Sequence, residues 1–343
     1  MTKRSTCLCL LSLISFTLFA AKPSAQWSNI APADLNLMGD YQGQWIDAPE
    51  KSYQQINPTV AAQVVNIDVG HYAIHFVQDL DRRAHPYFQG EGRLVGSAIV
   101  TDQDGWKFSV SAADGLTGTA LIDGATIKFA LRRVVRKSPT LNAPAPIGAI
   151  TLFNGKNLDS WQKSGGGPAH WNLLDSGAME ASAKGYLRTR QTFQDVKLHL
   201  EFRYPVGEGK VGQKRGNSGV FLQGYEVQVL NSYGLEGKWN ELGALYKLSP
   251  PRVNAARPPL QWQTFDITYQ APRYRGDTKI ANARIWVELN GVPVQTDQEI
   301  YHATANAEIG RTWPAPNKPL PISLQFHGNP IQYRNIWVQE LSL

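Results

Sequence analysis

Three short segments of this chain set acid–base and amide side chains at alternate positions. In residues 225–230, Glu226 and Gln228 alternate with Tyr225, Val227 and Val229. In the run ending at His327, Ser323, Gln325 and His327 alternate with Ile322, Leu324 and Phe326. In residues 196–203, His199, Glu201 and Arg203 stand opposite Leu198, Leu200 and Phe202. Successive side chains of a strand point to opposite faces, so each segment predicts one apolar and one polar face. A solvated sheet face accounts for any single one of these polar residues. As a set they are Glu, Gln, Asn, His and Arg rather than Lys, Thr and Ser, and that set suits hydroxyl recognition and proton transfer.

Aromatic residues lie in or beside the loops that follow these segments: Tyr225, Tyr233, Trp239, Tyr246 and Trp313. A sugar ring has an apolar face that such side chains can cover. Tyr225 alternates with Val227 and Val229 and reads as core. Trp239, inside the polar loop 236–241, reads as a rim contact. The Pro-rich loop 249–259 is either a further wall or a rigid connection. His71 and His75 have a spacing that puts two imidazoles on one metal in a helix. Here they alternate with Tyr72, Ile74 and Phe76, which is a strand pattern. Four residues of strand hold them roughly 13 Å apart, so they are expected to be surface histidines.

The elements that must position these groups are strands. Asp104-Gly105, Asp114-Gly115 and Asp123-Gly124 recur between alternating runs, and such pairs tolerate the positive φ angles of tight hairpins. Residues 26–137 therefore predict a small antiparallel β domain, a meander over about 38–136. Pro139, Pro144 and Pro146 mark 138–149 as a linker. Residues 150–343 form the second β domain. The cluster Arg132-Arg133-Val134-Val135-Arg136-Lys137 is basic enough for an anionic partner but reads as the solvated end of a strand, and no nucleic-acid partner is expected.

Residues 1–25 read as an export leader. Lys3 and Arg4 precede an apolar run from Cys7 to Ala21, and small residues end at Ala25. That run is short for a spanning helix, and no later stretch is apolar enough. The expected location is periplasmic or extracellular. Both cysteines, Cys7 and Cys9, fall in the leader, so cysteine nucleophiles, cysteine–zinc sites and disulfides are excluded for the processed chain. The leader also carries three of the cationic residues behind the net charge of +6.

The second domain opens with Leu152-Phe153-Asn154-Gly155-Lys156. It continues through Asn217-Ser218-Gly219, Tyr225-Glu226-Val227-Gln228 and Gly243-Ala244-Leu245-Tyr246, and ends on Gln325-Phe326-His327-Gly328. This ordered set resembles the 3-keto-disaccharide hydrolase domain family. The resemblance implies an all-β fold, a concanavalin-like jelly-roll sandwich of two antiparallel sheets, and action on sugars oxidised at carbon 3. The chain departs from the family pattern at Gln223, at Phe326 and in the loop 240–246.

Such a sugar has an acidified proton on carbon 2. A base that removes it forms an enediolate, which expels the group on carbon 1. That chemistry needs a base, an acid for the leaving group and a partner for the enolate oxygen. On this resemblance Glu226 and His327 share the base and acid work, in either assignment. Arg215, Asn217, Gln228 and Gln325 hold hydroxyls or the enolate oxygen. Glu201, Arg203, Trp239, Glu241 and Tyr246 complete the expected substrate contacts. A divalent cation held by Glu226, Glu201 or His327 is an alternative stabiliser. Two other functions remain open. A glucanase would pair Glu226 with Glu241 or Glu201 at about 5–5.5 Å. A lectin-like module would bind carbohydrate without cleaving it.

Overall fold

The computed structural model describes residues 24, 27, 36–81, 86–207, 209–304 and 317–342. Except for Ser24, the expected leader lies outside the described residues. No helix among them is long and apolar enough to cross a membrane.

The first domain is an eight-stranded antiparallel barrel. Its strands are β1 (Gly39–Ile46), β2 (Thr59–Asp68), β3 (His71–Val77), β4 (Phe88–Val95), β5 (Ala98–Gln103), β6 (Trp106–Ser111), β7 (Gly115–Ile122) and β8 (Ala125–Val134). Each strand pairs with the next, and β8 returns to β1, so no edge is left open. The Asp-Gly turns at 104–105 and 123–124 have positive φ at both residues, as tight hairpins demand. Closure was not legible in the alternation. It depends on Gly43 of β1, where a Cβ would stand 1.9 Å from the Ala130 carbonyl oxygen on β8. Eight strands enclose just enough room for side chains, and aromatic rings fill it. Phe88 stacks on Trp106 with centroids 4.8 Å apart, and Phe76 lies 4.7 Å from the same ring.

The second domain is a β-sandwich. Its strands are β9 (Ile150–Phe153), β10 (Trp161–Lys163), β11 (Asn172–Leu173), β12 (Met179–Glu180), β13 (Leu187–Phe193), β14 (Val196–Arg203), β15 (Ser218–Leu222), β16 (Tyr225–Val229), β17 (Gln263–Gln270), β18 (Arg273–Arg275), β19 (Thr278–Ala281), β20 (Ala283–Leu289), β21 (Val292–Ile300), β22 (Leu320–Leu324) and β23 (Gln332–Glu340). One sheet runs β10-β13-β22-β15-β16; the other runs β11-β12-β23-β14-β17-β20-β21, with β9 also on β23. Leu198, Leu200 and Phe202 of the large sheet share one core with Val220, Val227, Val229, Ile322 and Leu324 of the small sheet. The apolar faces read from the sequence are therefore the two inner faces.

The two domains are joined by more than a tether. Met38 and Val65 of the barrel pack with Val206 and Tyr233 of the sandwich. The Tyr233 hydroxyl donates to Asp40 at 2.9 Å. Arg136 pairs with Asp40 at 2.7 Å and with Asp81, which also receives Arg257. The basic cluster therefore contributes an ion-paired residue to the junction, which corrects the reading of it as a solvated strand end. His75 also departs from the surface reading: it sits against Gly234 of the sandwich, and burial lowers its pKa. His71 does face outward, 2.6 Å from Glu91.

The linker is an ordered cover on the outer face of the large sheet. The Ser138 hydroxyl lies 2.6 Å from that of Thr264, and Thr140 donates to Asp266 at 2.6 Å. The Asn142 backbone N–H donates to Glu201, and Asn335 donates to the Ala143 carbonyl at 2.9 Å.

Candidate functional site

The outer face of the small sheet carries the converging polar groups. Residues directly opposite one another in antiparallel strands share a face. The register joins Glu226 to Phe221, Phe221 to Ser323, Ser323 to Arg188 and Arg188 to Gln162. A second row, next to the first, holds Gln228 opposite Gly219, with the Gln325 N–H donating to the Gly219 carbonyl.

Glu226 owes its position to a glycine. A Cβ on Gly219 would lie 2.4 Å from Glu226 Oε1, so the carboxyl rests over the neighbouring strand where that side chain is missing. Glu226 is only 7% exposed. Among the described residues its carboxyl has no hydrogen-bond partner, and burial alone pushes its pKa up to about 8. Gly219→Ala should displace the carboxyl toward water and return its pKa toward the ordinary carboxylate range. Titration of a carbon-13-labelled glutamate signal checks this; an unchanged midpoint would mean that Gly219 does not set the burial.

A chain of amides links Glu226's strand to His327. Gln228 Nε2 donates to Asn217 Oδ1 at 2.9 Å, which fixes the amide orientation of Asn217. Asn217 Nδ2 then faces the backbone oxygen and Oε1 of Gln213 at 3.0 and 2.9 Å, and His327 Nδ1 at 3.3 Å. Gly219, beneath the carboxyl, and Asn217, against the imidazole, are two residues apart along the chain, about 7 Å. His327 is exposed. Gln325 donates from Nε2 to the Tyr186 hydroxyl at 2.6 Å.

Aromatic rings stand on both sides. Residues 243–246 run along the free edge of β16: Gln228 donates to the Ala244 carbonyl and Tyr246 N–H donates to the Glu226 carbonyl. Tyr246 is therefore beside Glu226, and Trp239 packs edge-on against it at 5.5 Å. On the other side, Tyr186 lies 6.0 Å from Phe221. Trp313 lies outside the described residues. Tyr225 and Tyr233 are buried, and the loop 249–259 is tied to β21 through Ser249 and Gln295.

Four of the expected site residues lie elsewhere. Glu201 and Arg203 belong to β14, so the sandwich core separates them from Glu226. Alternation assigns a face but not a sheet, which is why they were grouped together. Glu201 is fully buried beneath the linker, paired with Arg334 at 2.7 Å. Arg203 donates to Gln332 at 2.8 Å and lies over the Trp262 ring. Arg215 turns to the domain junction, where it donates to the Tyr233 carbonyl at 3.3 Å. Glu241 accepts from the backbone N–H groups of Gly237 and Lys238 and closes its own loop. The metal set of Glu226, Glu201 and His327 is not brought together, and no cluster of three or more metal-ligating acids, histidines or cysteines occurs among the described residues.

The sequence reading missed Tyr186 and Arg188. Residues 187–193 (LRTRQTF) do alternate at their start, with Leu187 and Thr189 inward, and that is the signal that would have found them.

Comparison with known proteins follows the same division of the chain. The family model of 3-keto-alpha-glucoside-1,2-lyase-like domains matches residues 148–339. A protein from Parabacteroides distasonis, proposed to be a glycosyl hydrolase, is 38% identical over 58% of this chain and 86% of its own, with a TM-score of 0.53. A second protein from that organism, with the same proposed activity, is 18% identical over 57% of this chain and 94% of its own, with a TM-score of 0.43. No curated protein matches the chain significantly.

Proposed function

The chain belongs to the family of 3-keto-alpha-glucoside-1,2-lyase-like domains, and from that premise we propose that it cleaves glycosides oxidised at carbon 3. The observation that carries the reading is the buried carboxyl of Glu226 over Gly219, with an amide-held histidine further along the same aromatic-flanked polar face. With a pKa of about 8, Glu226 is mostly protonated at neutral pH. That suits it to give a proton to the departing glycosidic oxygen. His327 takes the complementary task of removing the proton on carbon 2. The freed electron pair forms the enolate of carbons 2 and 3. The carbonyl then re-forms, the double bond moves to carbons 1 and 2, and the bond to the leaving oxygen breaks. Water adding across that double bond completes a hydrolysis; without it the enzyme is a lyase.

A two-carboxylate glucanase lacks its second acid: among the described residues, Glu241 and Glu201 are committed elsewhere. The expected leader supports action in the periplasm or outside the cell.

The test offers the purified protein a 3-keto-disaccharide and the same disaccharide unoxidised. Cleavage of the oxidised sugar alone is expected. Cleavage of both would restore the glucanase, and binding of both without product would make the protein lectin-like.

A further inference from the structure

Across the polar face from Glu226 stands a second group of polar atoms. Arg188 occupies the same row as Glu226, three strands away through Ser323 and Phe221. Its Nε is buried and has no hydrogen-bond partner. Gln325, 7% exposed, has an unpaired Oε1. With Nε2 donating to the Tyr186 hydroxyl, Oε1 is the head left without a partner. Tyr186 binds the other head and keeps its own hydroxyl proton free to donate outward. Natural structures rarely leave buried donors and acceptors unpaired, and a ligand that pairs them recovers the cost. Three strand spacings put Glu226 and Arg188 roughly 14 Å apart at their Cα atoms. A pyranose ring laid over Phe221 and Ser323, which stand between them in the row, would reach from one side chain toward the other.

We propose that Arg188 and Tyr186 form the pocket for the oxygen on carbon 3, selecting a carbonyl over a hydroxyl and holding the enolate that develops there. The inference rests on the keto-sugar reading above and assigns the part of that chemistry that neither Glu226 nor His327 supplies. With carbon 1 beside Glu226, carbon 3 falls on the Arg188 side of the ring. When the base removes the proton from carbon 2, the electron pair enters the bond between carbons 2 and 3, and negative charge appears on that oxygen. The Arg188 N–H and Tyr186 O–H point to it as donors, and the guanidinium supplies opposing charge. Gln325 accepts from a neighbouring ring hydroxyl. An unoxidised sugar offers a hydroxyl at the same place, which gains less from two donors and develops no charge.

The experiment separates enolate formation from bond cleavage. An alkyl C-glycoside oxidised at carbon 3 cannot expel its carbon substituent, because an alkyl carbanion is not a leaving group, but its carbon 2 proton exchanges in D2O once the enolate forms. Exchange is followed by NMR with the wild type, Arg188→Met and Tyr186→Phe, with binding of the oxidised and unoxidised C-glycosides measured alongside. The wild type is expected to catalyse exchange, Arg188→Met to slow it about 10²-fold, and Tyr186→Phe about 10-fold, in line with loss of an oxyanion donor. Affinity for the unoxidised compound should change less than about threefold. The Tyr186 variant removes one hydroxyl from a ring that is 37% exposed and guards against a folding defect in the Arg188 variant. Wild-type exchange with both variants equally active would overturn the assignment of Arg188 and Tyr186 while leaving the keto-sugar reading intact. Absence of exchange by the wild type would overturn that reading, and this inference with it.

Discussion

Glu226→Gln is expected to lose at least about 10³-fold in cleavage of a 3-keto-glycoside with an alkyl leaving group, and to melt at a higher temperature than the wild type above pH 8. The two effects have one cause. Glu226 is buried without a partner among the described residues, and desolvation moves its pKa from 4.5 to about 8. A group whose folded pKa is raised contributes stability that is complete below the unfolded value and is lost as pH rises through the folded one. The wild type thus gives up stability between about pH 4.5 and 8. Glutamine keeps the shape, never ionises and escapes that loss of a few kcal/mol. Calorimetric melting of both proteins at pH 5 and pH 9 checks it. A melting-temperature difference that stays the same at both pH values would mean that Glu226 does not titrate in this range. The kinetic half has an internal control, because a nitrophenyl leaving group departs without an acid. On that substrate the variant should keep activity within about tenfold of the wild type. Equal losses on both substrates would give Glu226 the base role instead. Wild-type cleavage of the alkyl substrate should also fall as pH rises past 8.

How much of this was legible in the residues differs between strands. In residues 225–230 and in the run to His327, period-two alternation picked out Glu226 and Gln228 of β16, and Gln325 and His327 just past the end of β22, where Gly219 and Asn217 of the neighbouring segment meet them. The same rule applied to residues 196–203 gave the correct face of β14 and the wrong neighbourhood, since nothing local says which of two sheets a strand joins. Arg188 escaped because β13 begins with only three alternating positions, and a register shift follows between Arg188 and Thr192. The role of Gly219 was invisible for a different reason. The space it leaves is defined by Glu226 on the next strand, and no single-strand pattern encodes a gap. In the barrel, the aromatic alternation foretold buried side chains, but closure rests on β1 meeting β8 across Gly43, a contact between the two ends of the domain. Proline in the linker correctly signalled a segment that is not a strand. Ser138, Thr140 and Asn142 bind it to the sandwich by hydrogen bonds, and Pro139 packs against Gly291.

That attachment leads to the second large effect, at a residue that the sequence alone suggested as a substrate contact. Glu201→Ala is expected to cost about 3–5 kcal/mol of stability while leaving the turnover number unchanged. His199 is buried between Asp266 at 2.7 Å and Glu201 at 3.8 Å, with its ring stacked on Trp337. Burial opposes its charge, but the bonds and attraction of the two carboxylates prevail and hold its pKa above the ordinary value. Burial likewise opposes the charge of Glu201. Donation from His199, Asn335, Arg334 and the Asn142 backbone outweighs it and brings the carboxyl down to about 2. Removing Glu201 leaves the His199 imidazolium with one counter-charge and Arg334 without its carboxylate partner, and it takes away the acceptor of the Asn142 backbone N–H in the linker. The signs give the deficit a shape. Glu201's contribution is present above about pH 4.5 and is lost as pH falls toward 2. That of His199 is complete below about pH 6.5 and is lost as pH rises through its raised value. The gap between wild type and variant should therefore be widest near pH 5–6 and narrow on either side, as melting across pH 3–9 would reveal. Limited proteolysis provides a second readout: cleavage within 138–149 should accelerate in the variant. A deficit independent of pH, with the linker still protected, would mean that Glu201 only fills space. A variant that is stable but inactive would return Glu201 to the substrate site from which the sandwich core separates it.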